Sequence, residues 1–257
     1  FKRLSYAFDF FRLNHRMHNK AFTVDGRASI LGGRNVGNEY FGTGTIPLHI
    51  DLDVLAVGDI VSRISADFDR YWNSNPVHPV ARILGEVRAG GPIATVLNAF
   101  EKDPEFDKYR ALLEASVTPY FVPGKAGVKA FAALEKDGVS VRMLTNSLEA
   151  TNMLPVHAGY SKRREDLLRA GVGLFELRAQ SGGASALGIL RPLGSSGSHL
   201  HAKTFAVDGD RIFVGSFNFD PRSATLNTEM GLLIESTRMA EAMHDAFDDG
   251  LNDLAWR

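Results

Sequence analysis

The feature that most constrains this 257-residue chain is a polar segment that occurs twice. Residues 18–35 read HNKAFTVDGRASILGGRN, and residues 201–218 read HAKTFAVDGDRIFVGSFN. Both fit H-x-K, four residues, D, six residues, G-[G/S]-x-N without a gap, and 8 of the 18 positions are identical. Unrelated segments of this length share roughly one identity at ordinary residue frequencies. Because polar residues repeat together with apolar ones, we interpret the two segments as an internal duplication with a shared chemical role.

The duplication extends past the polar segment and predicts an α/β fold. Each copy alternates as two strands around an Asp-Gly turn, then continues into a strand that carries an acid, Asp51 or Glu229, and into a helix. Alternating strands and helices indicate layers of both. The predicted strands are 46–58, 116–122, 139–145, 172–178 and 227–236, and the predicted helices are 59–72, 92–115, 127–137, 161–170 and 237–249.

We expect two lobes related by a pseudo-two-fold axis, each a mixed β-sheet flanked by helices, with the active site where the lobes meet. The predicted parts are the first lobe at 1–80, a connecting region and helix at 81–115, and the second lobe at 116–257. Residues 181–198 are rich in Gly and Ser, which predicts either a mobile loop at the rim of the second motif or a simple spacer. Since far more chain precedes His201 in its lobe than precedes His18, we expect the first lobe to lack its N-terminal strands.

The repeated residue types suit a phosphodiester. A histidine can act as nucleophile or general acid near neutral pH, and a lysine ammonium suits phosphate oxygens. An asparagine adds an amide donor, and the small pairs that include Gly33 and Ser216 could bring backbone N–H groups close to an anion. One histidine would attack phosphorus and form a phosphohistidine while the other protonates the leaving oxygen. The residues predicted to carry this chemistry are His18, Lys20, Asn35, His201, Lys203 and Asn218.

Several further polar residues fit simpler roles. Asp25 and Asp208 each precede a glycine, so turn formation competes with a chemical role and is the one we favour. A metal site built on His15 and His18 fits the spacing, but no carboxylate cluster supports it, and we predict no metal and no cofactor. The remaining histidines, outside the two motifs, are expected to be structural or solvated: His15, His49, His78, His157, His199 and His244.

Composition narrows the class of partner. The formal net charge is −1 and the pI is about 6.8, which argues against a broad basic surface for nucleic acid. The chain has no cysteine, so disulfides and thiolate metal sites are excluded. The sequence shows neither a signal peptide nor an apolar run long enough to span a membrane.

At the twin motifs the sequence resembles the phospholipase D superfamily, whose signature is a duplicated His-Lys-Asp motif. The resemblance implies two α/β lobes that share one active site and a phosphohistidine intermediate. It implies that His18 is the nucleophile and His201 the acid and base. It also implies that Glu229 orients His18 and that Asp51 orients His201. Glu39 occupies another recurring position of the family, which we interpret as a supporting or structural one.

Stretches outside the motif resemble bacterial cardiolipin synthases, in particular their C-type branch. They are GGRNVGNEYFG, DLDVLAVGDIVSRISADFDRYWNS, TPYFVPG and TNSLEATNMLPVHAGYSKRREDLLRAGVGLFEL. The resemblance implies transfer of a phosphatidyl group between phospholipids, with phosphatidylethanolamine as donor and phosphatidylglycerol as acceptor. It also places His157, Tyr160 and Arg164 near the site as candidate substrate contacts. The alternative is that Tyr160 and Arg164 only dock the helix that follows.

Three other functions stay open at this point. A phospholipase D would use water as acceptor, a nuclease of the superfamily would need a basic groove with stacking aromatics, and an anion-binding module would need no catalysis. The intact histidines and lysines of both motifs disfavour the last. For a lipid substrate we expect peripheral contact with a bacterial cell membrane and no partner nucleic acid.

Overall fold

The computed structural model describes residues 15–41, 49–75, 77, 118–179, 199–249, 251 and 255–257. The chain divides into two compact units. The larger comprises Phe1–Ala21, Leu31–Val54 and Glu114–Arg257, and the smaller comprises Phe22–Ile30 and Leu55–Leu113. The predicted helix 92–115, the glycine- and serine-rich stretch 181–198, and His78 lie outside the described residues, wholly or for the greater part.

The described elements alternate between strand and helix, which confirms the predicted α/β class. The strands are β1 (Ala21–Val24), β2 (Ala28–Gly32), β3 (His49–Ile50), β4 (Asp53–Val57), β5 (Arg142–Asn146), β6 (Gly173–Leu177), β7 (His199–Leu200), β8 (Thr204–Val207), β9 (Arg211–Gly215), β10 (Gly231–Glu235) and β11 (Ala255–Trp256). The helices are α1 (Asn38–Phe41), α2 (Ile60–Trp72), α3 (Gly124–Lys136), α4 (Leu154–Arg169), α5 (Pro221–Thr225) and α6 (Thr237–Asp249).

Each copy of the motif forms a hairpin followed by a short helix, a third strand and a longer helix. In the first copy the sheet order is β1-β2-β4, and in the second it is β10-β9-β8. The hairpin turns place Asp25 and Asp208 at φ 51° and 55°, each followed by a glycine that also has positive φ. Positive φ at both central residues is what a two-residue type I′ turn requires. Both aspartates therefore have the turn-forming position that the sequence predicts.

Short parallel pairings join each histidine-bearing segment to the acid-bearing segment of the other copy. β3 pairs with β7, so that His49 lies opposite His199 and Ile50 opposite Leu200, immediately before the motif histidine. In the other copy a single parallel bridge joins Met17 to Thr228. The same backbone arrangement thus occurs twice, once on each side of the duplication.

A third sheet, in the order β11-β6-β5, contributes Met143, Leu144, Leu174 and Leu177 to the hydrophobic core. Helices α3 and α4 pack on each other, and Phe121 lies between them with its ring 5.9 Å from that of Phe131 and 5.8 Å from that of Tyr160. Both helices end where a glycine takes positive φ, Gly138 at 86° and Gly171 at 100°. A left-handed residue after the last turn is the usual helix stop.

Three element boundaries differ from the sequence prediction. The strand predicted at 46–58 is interrupted at Asp51 and Leu52, where the Asp51 carboxylate accepts the Leu52 N–H at 2.9 Å instead of the backbone continuing a ladder. The apolar stretch 118–122 is not a strand, although its Val122 N–H donates to the Phe219 carbonyl at 2.8 Å. The helix predicted at 161–170 begins seven residues earlier at Leu154, with a proline in its first turn.

In the part of the chain that the structure describes, no helix is long and apolar enough to cross a membrane.

Two adjacent leucines of α4 test the packing of the core. Leu167 is fully buried, whereas Leu168 is 53% exposed. Leu167→Ala should therefore lower the free energy of unfolding by about 2–5 kcal/mol, because it removes buried contacts and leaves a cavity. Leu168→Ala should change it by less than about 0.5 kcal/mol. Urea denaturation of both variants measures the difference, and equal effects would contradict the assigned helix face.

Candidate active site

His18 is held by an acid from the other end of the chain. Its Nδ1 lies 2.8 Å from Oε2 of Glu229, and its backbone N–H donates to the Thr228 carbonyl at 3.1 Å. The pairing of backbone and side chain fixes both the position and the orientation of the imidazole. Because Glu229 binds Nδ1, Nε2 is the ring nitrogen left for chemistry.

His201 has the reciprocal arrangement. Its Nδ1 lies 2.6 Å from Oδ2 of Asp51, and its backbone N–H donates to the Ile50 carbonyl at 2.7 Å. This pair is more enclosed than the first, since the two side chains are 7% and 0% exposed, against 22% and 11% for His18 and Glu229. The structure therefore brings together both predicted histidines with the acids expected to orient them.

The small residues of the two motifs make room for these acids. A Cβ on Gly33 would overlap Oδ1 of Asp51, so only glycine lets the carboxylate lie against the strand end. At the equivalent place in the second copy, the Ser216 hydroxyl donates to Oε2 of Glu229 at 2.6 Å. One copy admits its acid by lacking a side chain, and the other holds its acid by a hydrogen bond.

The backbone N–H groups of these small residues are not free to approach an anion, contrary to the expectation from sequence. Gly33 donates to the Leu52 carbonyl at 3.2 Å, and Ser216 donates to the Met230 carbonyl at 2.8 Å. Gly215 likewise donates to the Lys203 carbonyl at 3.2 Å. The N–H groups complete the sheets, so the smallness of the residues serves the acids and not a phosphate.

Both motif lysines fold back toward their own histidine. Nζ of Lys20 donates to the His18 carbonyl at 2.6 Å, and Nζ of Lys203 donates to the His201 carbonyl. Burial lowers the pKa of Lys20 to about 8, against the opposing charges of Glu229 and Asp51. Burial also lowers the pKa of Lys203 to about 8, and the nearby Lys20 ammonium adds to this effect. The influence of Lys20 on the pKa of Lys203 places both cations in one electrostatic site.

The charges of the site also set the protonation state of His201. Burial and the adjacent Lys203 ammonium lower the pKa of His201 to about 4, although Asp51 opposes the shift. Nζ of Lys203 lies 2.9 Å from Nδ1 of His201, a nitrogen whose proton is directed to Asp51. The imidazole is thus neutral at physiological pH in the unliganded protein, with its Nε2 lone pair uncommitted to a proton.

The two acids stay ionised in spite of their burial. Burial alone would raise the pKa of Asp51, but the Lys203 charge and the His201 hydrogen bond hold it below its usual value. In the same way, hydrogen bonds from His18 and Ser216 outweigh burial and lower the pKa of Glu229. Each histidine consequently faces a carboxylate that can stabilise an imidazolium.

Asn35 and Asn218 end the two motifs but have different surroundings. The amide of Asn35 is exposed, and its Nδ2 donates to the Tyr40 hydroxyl at 2.7 Å. Asn218 is buried, and its Oδ1 lies 3.5 Å from the Thr118 hydroxyl. Glu39, beside Tyr40 in α1, is half-buried, and its supporting or structural role stays a prediction.

Sequence reasoning missed three residues of this network, Tyr40, Arg34 and Asp53. The Tyr40 hydroxyl lies 3.2 Å from Nε2 of His201. Nε of Arg34 binds Oδ2 of Asp53 at 2.6 Å, and the same guanidinium donates to the carbonyls of Tyr40 and Asp51, at 2.5 and 3.1 Å. No repeated pattern marks these residues, since the second copy has a phenylalanine in place of Arg34 and a serine in place of Tyr40.

The candidate substrate contacts in α4 have partners within the fold. The Tyr160 hydroxyl donates to Oε1 of Glu176 at 3.0 Å, and Arg164 binds the same oxygen at 2.8 Å. Tyr160 is 1% exposed, and the ring of His157 lies 5.7 Å from its ring. These contacts favour the alternative in which Tyr160 and Arg164 dock the helix onto β6.

Four of the other histidines are held by protein atoms. His15 bonds to the Leu226 carbonyl at 2.7 Å, His244 lies 3.0 Å from the Arg142 guanidinium, and His199 bonds to the Ala150 carbonyl. His49 stacks on Tyr40. In the part of the chain that the structure describes, no group of three or more His, Cys, Asp or Glu side chains is placed to hold a metal ion.

The close approach of Gly33 and Asp51 can be tested by adding one methyl group. Gly33→Ala should displace Asp51 from His201 and lower the free energy of unfolding by about 1–3 kcal/mol, because the alanine overpacks a closed site. Gly173→Ala is the matched control, since its Cβ would meet its nearest neighbour at an ordinary 3.5 Å. Urea denaturation compares the two variants. If Gly33→Ala were as stable as the control, the acid would not be confined as described.

A family model and several curated proteins match the chain. The family model described as "Cardiolipin synthase, PLD-like domain" matches residues 115–250, just over half of the chain. The curated Cardiolipin synthase C of Escherichia coli is 37% identical over 99% of this chain and 66% of its own length. A Cardiolipin synthase of Staphylococcus aureus (strain Mu50) is 27% identical over 93% of the chain and 48% of its own length. The chain thus spans between about half and two thirds of the length of these curated relatives.

A solved structure shows the same fold. The crystal structure of phosphatidylserine synthase from Haemophilus influenzae superposes with a TM-score of 0.59 at 14% identity, over 93% of this chain and 63% of that one. At such low identity the likeness extends to the fold alone. The matching family model confirms the resemblance noted in the sequence: the chain belongs to the phospholipase D-like family of cardiolipin synthase type.

Proposed function

We propose that the protein is a phosphatidyl transferase of the cardiolipin synthase kind, which moves a phosphatidyl group between phospholipids through a phosphohistidine. The observation that carries the proposal is the pair of reciprocal histidine–carboxylate contacts, His18 with Glu229 and His201 with Asp51, beside two lysines. Family membership and the names of the relatives support the substrate class. The alternative acceptor is water, which would make the protein a phospholipase D-type hydrolase.

In the first step, Nε2 of His18 attacks the phosphorus of the donor lipid. The new N–P bond forms as the P–O bond to the head group breaks, and His201 gives its proton to the departing oxygen. Glu229 stabilises the positive charge that develops on the His18 ring, because its carboxylate accepts the Nδ1 proton at 2.8 Å. The product is a phosphatidyl group on His18 and a free head-group alcohol.

The proton that His201 donates must be acquired after the substrate binds. In the unliganded site its pKa is lowered to about 4 by burial and by Lys203. A bound phosphodiester anion counters the charges of Lys203 and Lys20, so the pKa of His201 rises when the substrate is in place. Substrate binding therefore prepares its own general acid.

In the second step His201 acts as a base, in the neutral form that it has just assumed. It takes the proton from a hydroxyl of the acceptor lipid, whose oxygen attacks phosphorus and displaces Nε2 of His18. The ammonium groups of Lys20 and Lys203 stabilise the negative charge on the phosphoryl oxygens in both steps. Proton transfer of this kind is worth roughly 10²–10⁴-fold in rate.

The specific lipids and the membrane contact belong to the same proposal. We propose phosphatidylethanolamine as donor and phosphatidylglycerol as acceptor, on the resemblance to the C-type branch. A lipid substrate requires contact with the membrane, which we propose to be peripheral and at a bacterial cell membrane. A net charge of −1 supports neither a nucleic acid substrate nor a nucleic acid partner.

The experiment that tests the function uses the full-length protein with vesicles of phosphatidylglycerol and phosphatidylethanolamine. Mass spectrometry separates the products. Cardiolipin together with released ethanolamine is the expected result, whereas phosphatidic acid alone would assign the protein as a hydrolase. Unchanged lipids together with cleavage of DNA would overturn both assignments. Co-sedimentation with anionic vesicles tests the membrane contact.

The roles of the two histidines make a separate prediction. His18→Ala should abolish the covalent phosphoenzyme, because it removes the attacking nitrogen. His201→Ala should leave a nucleophile in place but slow both proton transfers, by roughly 10²–10⁴-fold. Acid-quenched reactions with radiolabelled lipid measure the phosphoenzyme. If it accumulates in His18→Ala and is absent from His201→Ala, the roles are reversed.

The lowered pKa values of the lysines predict the alkaline side of the pH profile. Lys20 and Lys203 each have a pKa lowered to about 8, so both ammonium groups lose their charge as the pH rises through 8. Because an uncharged amine no longer attracts the phosphate, kcat/KM should fall above this pH. Because two lysines titrate together, the slope of log kcat/KM against pH should be steeper than the loss of a single proton gives.

Lys20→Arg is the matched control for this profile, since a guanidinium stays charged throughout the range. It should reduce the alkaline limb to the slope of one proton, from Lys203 alone. A wild-type profile that stays flat to pH 10 would show that the lysine charges are not needed.

A further inference from the structure

Tyr40 contacts the reactive nitrogen of a motif histidine. Its hydroxyl lies 3.2 Å from Nε2 of His201, closer than Nζ of Lys203 at 3.4 Å. The same hydroxyl accepts the Nδ2 proton of Asn35 at 2.7 Å. Since the hydroxyl already accepts from the amide, its own proton is available to donate to the imidazole nitrogen.

The ring of Tyr40 is fixed in this position. It is 6% exposed and stacks on His49 with a centroid distance of 4.9 Å and an interplanar angle of 19°. Its backbone carbonyl accepts a hydrogen bond from Arg34 at 2.5 Å, and the same guanidinium donates to the Asp51 carbonyl. The Arg34 guanidinium thus holds both Tyr40 and Asp51, whose side chains contact the two nitrogens of the His201 ring.

The two copies of the motif differ at this point. Five residues beyond the motif asparagine stands Tyr40 in the first copy and Ser223 in the second. The Ser223 hydroxyl accepts the Asn218 N–H at 3.3 Å and also contributes to the lowered pKa of Glu229. In one copy the hydroxyl therefore serves the imidazole, and in the other it serves the acid and its loop.

Resting on the proposed function, we propose that Tyr40 is a positioning residue for His201. Its hydroxyl donates to Nε2 and so selects the neutral tautomer with the proton on Nδ1, next to Asp51. The neutral ring is the form that accepts a proton from the acceptor hydroxyl in the second step. Once the ring has given its proton to the leaving oxygen, the donated hydrogen bond favours the unprotonated Nε2 until the acceptor hydroxyl takes its place beside that nitrogen.

A hydrogen bond donated to a neutral base favours the neutral form, so its removal has a definite sign. Without the Tyr40 hydroxyl, His201 should take up a proton more readily and titrate at higher pH. The other groups that face the ring keep their influence, and each is left unchanged in the test. They are Asp51, Lys203, His49 and Tyr120.

The test is Tyr40→Phe, which removes the hydroxyl and keeps the stacked ring. NMR of the protein with labelled histidine should show His201 titrating about one pH unit higher than in the wild type. The acid limb of the kcat/KM profile for the acceptor lipid, whose attack needs the neutral ring, should move in the same direction. Tyr120→Phe is the matched control, because the Tyr120 ring lies 6.4 Å from that of His201 but its hydroxyl donates to Asn152.

A second variant guards against a folding defect in Tyr40→Phe. Asn35→Ala leaves the tyrosine in place but removes the amide that orients its hydroxyl, and Asn35 is exposed. It should move the His201 titration in the same direction by a smaller amount. An unchanged titration in both variants, or an equal shift in Tyr120→Phe, would overturn the proposal.

These outcomes separate the inference from the proposed function. If lipid transfer is absent but the His201 titration moves as expected, the positioning role stands and the assigned reaction fails. If lipid transfer proceeds while the titration of His201 is the same in the wild type and in Tyr40→Phe, the reaction stands and the positioning role fails.

Discussion

The site depends on one interaction that occurs twice, a hydrogen bond between an imidazole and a carboxylate far away in sequence. His18 and Glu229 are 211 residues apart, and His201 and Asp51 are 150 apart. Each bond is supported by backbone pairing one residue away, at Thr228 and at Ile50. The paired backbones fix the distance between the two segments, and so place each imidazole within reach of its carboxylate. Geometry that would be costly to hold by side chains alone is supplied by the backbone.

Burial gives this site its electrostatic character. Lys203 is 1% exposed, and its charge, with the neutral His201, lies against a carboxylate that is ionised despite its burial. A cation so enclosed is poorly solvated, which makes an anionic phosphate a favourable partner. In the proposed mechanism the same enclosure holds His201 neutral until an anion enters. Binding and acid–base chemistry are then linked through the charges of the two lysines.

The sequence predicted the parts of the site that repeat, because polar residues kept at one spacing in two places indicate a shared chemical task. His18, His201 and their lysines were found in this way, and the acids followed from the strand that succeeds each motif. Tyr40 could not be found, since the second copy has Ser223 at its place. The prediction that the Gly33 and Ser216 N–H groups could approach an anion was wrong. The spacing of residues does not tell whether an N–H already donates to a neighbouring strand. The interruption of the predicted strand at Asp51 was also missed, since the apolar pattern of the sequence continues past this residue.

The two parallel pairings have a consequence for how the site comes into being. β3 with β7, and Met17 with Thr228, join segments that lie far apart in the chain. Contacts of such long range form slowly, because closing a long loop costs conformational entropy before the contacts can stabilise the chain. A chain in which these pairings have not formed carries imidazoles without their acids. On the proposed function, reactivity toward phosphodiesters is therefore confined to the completed fold.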